Sequence, residues 1–158
     1  MRFKTWICTA LFTLIFSTSA LAAAGTVQVV SFSRETTEDL MIELTGTKVI
    51  TEEFSFKLPE EWDHTCLLIP SGNSYEIYEK EAYDSDGSGL LFSIDCYEDT
   101  SLQDLAGCSI LSFSGNRTYI LVSHYEELEG EIPEGLYASC EVAARTLKKS
   151  FVALIREN

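Results

Sequence analysis

The chain of 158 residues carries 25 acidic and 11 basic side chains, which gives a formal net charge of −14 at neutral pH. Affinity for nucleic acid depends on Lys and Arg side chains that neutralise phosphates, so this balance excludes nucleic acid as an expected partner. Aromatic and β-branched residues occur throughout the chain, which excludes a wholly disordered acidic protein.

The first predicted element is a secretory signal peptide, which we expect to span residues 1–22. Two basic side chains lie within the first four residues, residues 7–16 (ICTALFTLIF) form an apolar core, and small residues allow cleavage after Ala22 or Ala24. The apolar run is shorter than the ~20 residues that cross a bilayer, so no membrane span is expected. The mature protein would be secreted or otherwise extracytoplasmic, and loss of the two cations would bring its charge to −16.

Behind the leader, alternating apolar and polar residues predict a series of short strands. Residues 23–47 are expected to form an N-terminal strand or hairpin extension, and residues 48–158 an α+β domain. Gly46 lies between residues 40–45 and 48–58, which are expected to pair as a hairpin. The predicted strands are residues 26–33, 40–45, 48–58, 66–69, 75–83, 90–97, 108–113 and 118–125.

The last predicted element is an amphipathic helix that begins at residues 133–135 (PEG). Proline near the first turn and glutamate at the positive end of the helix dipole both favour this start. We therefore expect an antiparallel sheet of about six strands covered on one face by a C-terminal helix. The apolar stripe of that helix is Leu136, Cys140, Ala143, Leu147, Phe151, Leu154 and Ile155.

Loss of the leader removes Cys8 and leaves four cysteines, an even number that predicts two disulfides in an exported chain. Sequence alone does not choose among the possible connectivities. We favour Cys96–Cys108, which would close a short loop between neighbouring strands, and Cys66–Cys140, which would join the last helix to the sheet. A zinc site is the alternative, but the chain has no Cys-x-x-Cys pair and only two histidines.

The segment Phe54–Trp62 (FSFKLPEEW), followed by strands and a closing helix that ends in Lys149–Phe151 (KSF), resembles the Mog1/PsbP-like fold. Residues 48–156 are also similar to small uncharacterised secreted or lipoprotein domains of anaerobic Gram-positive bacteria, which share a phrase like Gly89–Ile94 (GLLFSI). The resemblance implies a role in partner binding and assembly. It implies no catalytic residue.

A calcium loop is the sharpest local motif, because DSDGSGLLFSID has the acid, hydroxyl and glycine spacing of an EF-hand. Its ligands would be Asp84, Asp86, Ser88 and Asp95. Aspartate at the last position, where glutamate is usual, and an aromatic residue at the ninth depart from the pattern. In the alternative interpretation the segment is a polar turn between strands, and Asp95 is carried away from Asp84.

Catalytic constellations are weakly represented. The acidic run Glu126, Glu127, Glu129 and Glu131 could supply paired carboxylates for a hydrolase, although a solvated loop explains it more simply. His64 follows Asp63 directly, and adjacent residues of an extended chain point in opposite directions, so it is expected to be a solvated turn residue.

Several aromatic side chains could form a partner-binding face, although core and cross-strand pairs would account for most of them. The sequence thus predicts a non-enzymatic binding or accessory module without a cofactor, whose partner is another extracellular or cell-surface protein. A calcium-binding module through residues 84–95 is the alternative, and a carboxylate-dependent hydrolase is a third. The aromatic residues concerned are Trp62, Tyr75, Tyr78, Tyr83 and Tyr97.

Overall fold

The computed structural model of the protein describes residues 27–30, 40–98 and 108–154. The expected signal peptide at residues 1–22 lies outside these ranges, as does part of the expected N-terminal extension. Within the described ranges, no helix is both long enough and apolar enough to cross a membrane.

Strands dominate the described residues, with one short and one longer helix. The strands are β1 (Val27–Val29), β2 (Ile42–Glu43), β3 (Lys48–Ile50), β4 (Phe54–Lys57), β5 (Cys66–Ser71), β6 (Ser74–Glu79), β7 (Leu90–Tyr97), β8 (Cys108–Ser114), β9 (Arg117–Ser123) and β10 (Val152–Ala153). The helices are α1 (Lys80–Asp86) and α2 (Glu134–Ser150), and single turns of 3-10 helix lie at Glu60–Trp62 and Tyr125–Leu128.

Six strands form an antiparallel sheet in the order β2-β5-β6-β7-β9-β8. Tight turns at Gly72 and Gly115, which have φ angles of 56° and 61°, join β5 to β6 and β8 to β9. The predicted α+β class, six-stranded antiparallel sheet and C-terminal helix are therefore confirmed.

Because β9 lies between β7 and β8, those two strands are not neighbours, contrary to the premise of the Cys96–Cys108 pairing.

The remaining strands form a second sheet, in the order β1-β3-β4-β10, which the sequence interpretation lacked. In it β1 runs parallel to β3, whereas the other pairs are antiparallel. The expected hairpin around Gly46 is wrong, because β2 pairs with β5 in the larger sheet while β3 joins the smaller one.

The predicted single strand of residues 48–58 is a hairpin of β3 and β4. The Thr51 side chain causes the reversal, because its hydroxyl accepts hydrogen bonds from the backbone of Glu53 and Phe54 and donates to the Phe54 carbonyl. Local side-chain bonding of this kind competes with the extended ladder that alternation alone would predict.

Helix α1 replaces the second half of the strand predicted at residues 75–83. The Glu79 carboxylate accepts hydrogen bonds from the backbone of Glu81 and Ala82 and so caps the helix at its start. Gly87, with a φ of 79°, ends it. Gly89 allows close packing behind it, because a Cβ there would lie 2.8 Å from the Cβ of Ala82.

Helix α2 stops earlier than its apolar stripe suggests. It ends at Ser150, whose hydroxyl donates to the Thr146 carbonyl and accepts from the Lys57 backbone 2.8 Å away. Phe151 is extended, and β10 then pairs with β4. The prediction that Phe151 and Leu154 are helical is therefore wrong, and Ile155 lies outside the described residues.

One apolar core joins both sheets and α2. The Phe54 ring of the smaller sheet lies edge-on to Tyr75 of the larger one, with centroids 4.7 Å apart, and α2 packs against β4 and β9. This arrangement leaves the opposite face of the six-stranded sheet turned away from the helix. The largest fully buried side chains are Trp62, Tyr75, Tyr119, Phe54, Phe56, Phe92, Leu44, Leu68, Ile77, Leu91, Ile94 and Ile120.

Candidate binding surface

The two faces of the six-stranded sheet are defined by alternation along β7. Phe92 and Ile94 point into the core, so Asp95 and Tyr97 point to the outer face. Residues paired in register share a face, and this extends the outer face across β9 and β8. One such row is Tyr97, Thr118 and Phe113, and the next is Asp95, Ile120 and Ile110.

Three large hydrophobic side chains of the outer face are exposed to solvent. Tyr97 is 40%, Ile110 40% and Phe113 57% exposed, while Thr118 and Ile120 between them are buried. We call Tyr97, Ile110 and Phe113 the outer patch. Two of its members lie on β8, an edge strand of the sheet. Clustered apolar exposure beside an edge strand is typical of protein-interaction surfaces.

The charge around the outer patch has one sign. Outer-face positions of β6 and β7 include the carboxylates Glu76 and Asp95, and none of the described outer-face positions on β6, β7, β9 and β8 is Lys or Arg. These positions are Ser74, Glu76, Tyr78, Ser93, Asp95, Tyr97, Thr118, Ile120, Val122, Cys108, Ile110 and Phe113.

A depression of about 230 Å³ lies at the Tyr97 end of the outer patch. The Cys96 amide donates to the Asn73 carbonyl at 2.9 Å and so holds the end of β7 to the β5–β6 turn. Tyr97 hydrogen-bonds to Asp95, whose negative charge raises the pKa of the phenol. We call this feature the acidic depression; it is lined by Asn73, Ser74, Asp95, Cys96, Tyr97 and Glu98.

The predicted calcium ligands do not converge. Asp84 and Asp86 belong to the end of α1, whereas Asp95 pairs with Ser74 at the far end of the β6–β7 ladder, about 16 Å along the strand from Leu90. Ser88 instead hydrogen-bonds to Asp86 and lowers the pKa of that carboxyl. In the part of the chain that the structure describes, no group of three or more His, Cys, Asp or Glu could hold a metal ion.

The four cysteines of the described residues form no disulfide at bonding distance. Cys96 pairs with Tyr119 and Cys108 with Val122, so the two sulfurs belong to opposite faces of the sheet. Cys66 and Cys140 both lie in the core cluster, and burial raises the pKa of each thiol to about 12. The favoured pairings stay predictions.

The acidic run of the hydrolase alternative is a solvated surface, because Glu126, Glu127, Glu129 and Glu131 are all exposed around a 3-10 turn. Side chains that all face solvent lack the enclosed site in which a pair of catalytic carboxylates would hold a substrate.

His64 is more than a solvated turn residue. Its φ of 60° places it in the left-handed region, and its Nδ1 lies 2.6 Å from a Glu43 oxygen while Nε2 lies 3.7 Å from Asp63. Lys80 pairs with the other Glu43 oxygen. The hydrogen bond to Glu43 and the charge of Asp63 raise the pKa of His64. Glu43 lies on β2, His64 just before β5 and Lys80 on α1. Because these three residues are far apart in the sequence, no local motif predicted their cluster.

A second cluster that sequence reasoning missed crosses between the two sheets. The carboxylate of Glu53, 4% exposed, accepts a 2.8 Å bond from the Tyr75 hydroxyl and a 3.2 Å ion-paired bond from Arg117. Arg117 also hydrogen-bonds to Tyr119, whose pKa is raised by burial. A buried carboxylate with an arginine and a phenol as partners is a well-satisfied structural cross-link.

Comparison with known proteins assigns no family to the chain. No protein-family model, curated protein or solved structure matches it.

Proposed function

We propose that this protein is a non-enzymatic binding module, secreted or otherwise extracytoplasmic, and that the outer patch receives another extracellular or cell-surface protein. The observation that carries the proposal is the exposure of Tyr97, Ile110 and Phe113 on one face of the larger sheet. Burial of such side chains by a partner would gain hydrophobic free energy, and aromatic residues dominate the energetics of protein interfaces.

We also propose the finer fold assignment, Mog1/PsbP-like, on the resemblance of residues 54–62, 89–94 and 149–151. It agrees with the binding proposal, because that resemblance implies partner binding and assembly. Neither the calcium nor the hydrolase alternative gains a supporting observation, since the predicted ligands are separated and the glutamate run is solvated.

The test is a comparison of three proteins in a quantitative interaction assay with secreted and surface proteins of the producing cell. Ile110→Ser/Phe113→Ser should lose at least tenfold in affinity for the captured partner, because loss of both apolar side chains from the centre of the interface should cost more than ~1.4 kcal/mol. Val142→Ser on α2, also an exposed hydrophobic position, is the matched control and should bind like the parent. Equal binding by all three proteins would overturn the proposal.

A further inference from the structure

We infer that the partner presents a cationic side chain, Lys or Arg, to the acidic depression and an apolar side chain to Phe113, both from one segment in the polyproline II conformation. This inference rests on the proposed function, because it concerns the partner of the same surface. It adds the charge of that partner and the spacing of its two contact residues.

Charge complementarity carries the first half of the inference. The acidic depression contains Asp95 and Glu98, and the described outer-face positions of β6–β9 contribute no cation to offset them. An anionic segment would meet only like charge there, which costs affinity and slows association. A second copy of this chain would bring another net charge of −14, so a partner of opposite sign is favoured over self-association.

The Tyr97 ring makes the depression suitable for a cation in particular. Its phenol is tied to Asp95, and the ring, 40% exposed, forms one wall beside two carboxylates. A Lys or Arg side chain there would combine an aromatic contact through the ring quadrupole with an ion pair. Its methylene stem would cover apolar surface while the charged end stays near the carboxylates.

The spacing of the outer patch sets the second half. Tyr97 on β7 and Phe113 on β8 are both paired with Thr118 on β9, the strand between them. Their Cα atoms are therefore two inter-strand distances apart. That span is about 10 Å. In a polyproline II segment every third side chain returns to the same face, and three residues cover about 9 Å. A segment with its cation at Tyr97 would therefore place the third residue beyond it near Phe113.

The probe is a labelled peptide in which lysine and leucine stand three positions apart in a glycine–serine background. Two matched peptides replace the lysine with glutamate or the leucine with serine. Titration into the isotope-labelled full chain, followed by amide NMR, gives both affinity and location. We expect the lysine–leucine peptide to shift signals of Tyr97, Glu98 and Phe113 and to bind at least tenfold more tightly than either matched peptide.

The protein variants separate this inference from the proposed function. Asp95→Asn/Glu98→Gln should weaken the lysine–leucine peptide about tenfold and reduce the salt dependence of its binding. Glu60→Gln/Glu61→Gln removes the same charge from an exposed turn and should have no such effect.

Three outcomes would overturn the inference. They are equal affinity for the glutamate peptide, no binding of the lysine peptide at millimolar concentration, and equal losses for the two charge variants. If Ile110→Ser/Phe113→Ser still abolishes partner capture in any of these cases, the proposed function stands and only the cationic partner is wrong.

Discussion

The Trp62 indole donates a 2.7 Å hydrogen bond to the Ser139 hydroxyl, which joins the segment before β5 to α2 across 77 positions of sequence. Trp62 is buried against Phe92, and the Ser139 hydroxyl donates a hydrogen bond to the Leu136 carbonyl. The bond thus links α2 to the side of the larger sheet on which Phe92 is buried.

Replacement of Ser139 by Ala should reveal the value of this bond. The indole N–H would lose its acceptor inside the core, which costs about 1–3 kcal/mol of unfolding free energy. Denaturant unfolding would measure the loss. Ser71→Ala, at an exposed position of β5, is the control and should change stability by less than about 0.5 kcal/mol. A loss no greater than that of the control would show that the indole finds another partner.

Gly89 should tolerate no side chain, unlike Gly87 a few positions earlier. Both have positive φ angles, but a Cβ on Gly89 would also lie 2.8 Å from Ala82, whereas nothing lies within 4 Å of one on Gly87. Gly87→Ala should therefore cost about 1–2 kcal/mol from backbone strain alone, and Gly89→Ala about 2–4 kcal/mol from strain and overlap together. Thermal unfolding of the two variants gives the comparison. Equal losses would contradict the packing argument.

Stability should depend on pH through His64. Its folded pKa is raised above 6.5 by Glu43 and Asp63, so the contribution is fully present below the unfolded pKa and is lost as pH rises through the folded pKa. Lys80 pairs with the other oxygen of the same Glu43 carboxylate. The free energy of unfolding should therefore fall between pH 6 and pH 8.

The variant His64→Asn tests this assignment, because Asn accepts a left-handed backbone but does not titrate. The fall in unfolding free energy between pH 6 and pH 8 should be smaller in His64→Asn than in the parent. It should also be smaller in Glu43→Gln, which lacks the anionic partner of His64. His124→Gln is the matched control and should keep the pH dependence of the parent. An unchanged profile in His64→Asn would remove His64 as the source.

The thiols of Cys66 and Cys140 should be inert in the folded protein. Burial and the raised pKa of about 12 leave almost no accessible thiolate at neutral pH. A thiol reagent should therefore label neither of them until denaturant is added, after which both should react. Peptide mass spectrometry of the labelled chain locates the modified residues. Rapid labelling of either one under native conditions would contradict the packing around α2.

If Cys66–Cys140 forms as predicted from the sequence, it should form before the core closes. Refolding of the reduced chain with oxidised glutathione should yield that disulfide, with two glutathione thiols released per bond. The same reagent added to the folded protein should leave both thiols unchanged. Oxidation at equal rates in both experiments would show that the core opens readily.

Alternation of apolar residues and helical periodicity predicted correctly those strands and helices whose apolar positions are buried in the core. Phe54, Phe56 and Leu58 are buried as their spacing indicates, and the stripe of Cys140 and Ala143 does face the core. Errors arose where a side chain bonded to nearby backbone. Hydrogen bonds of the Thr51 hydroxyl form a hairpin where residues 48–58 were predicted to be one strand. Hydrogen bonds of the Glu79 carboxylate begin α1 within the strand predicted at residues 75–83.

The candidate surface was predictable only in part. Tyr97 was among the aromatic residues expected at a partner-binding face, but Ile110 and Phe113 were expected only as strand residues. Their pattern resembles that of any half-buried strand, and the sequence does not say which face α2 will cover. The sequence also could not place Asp95 beside Tyr97 and Glu98 in a depression, since this depends on the β6–β7 register.

The position of β9 between β7 and β8 has a consequence for how the chain reaches its native state. The β8–β9 pair is a local hairpin that can form within microseconds, whereas β9 must then insert its other edge against β7. That step closes a longer loop before it gains any ladder contact, and such non-local pairing slows folding. The barrier should therefore lie in docking of the finished hairpin, and changes at Gly115 should alter the folding rate less than changes at Ile94 or Leu121.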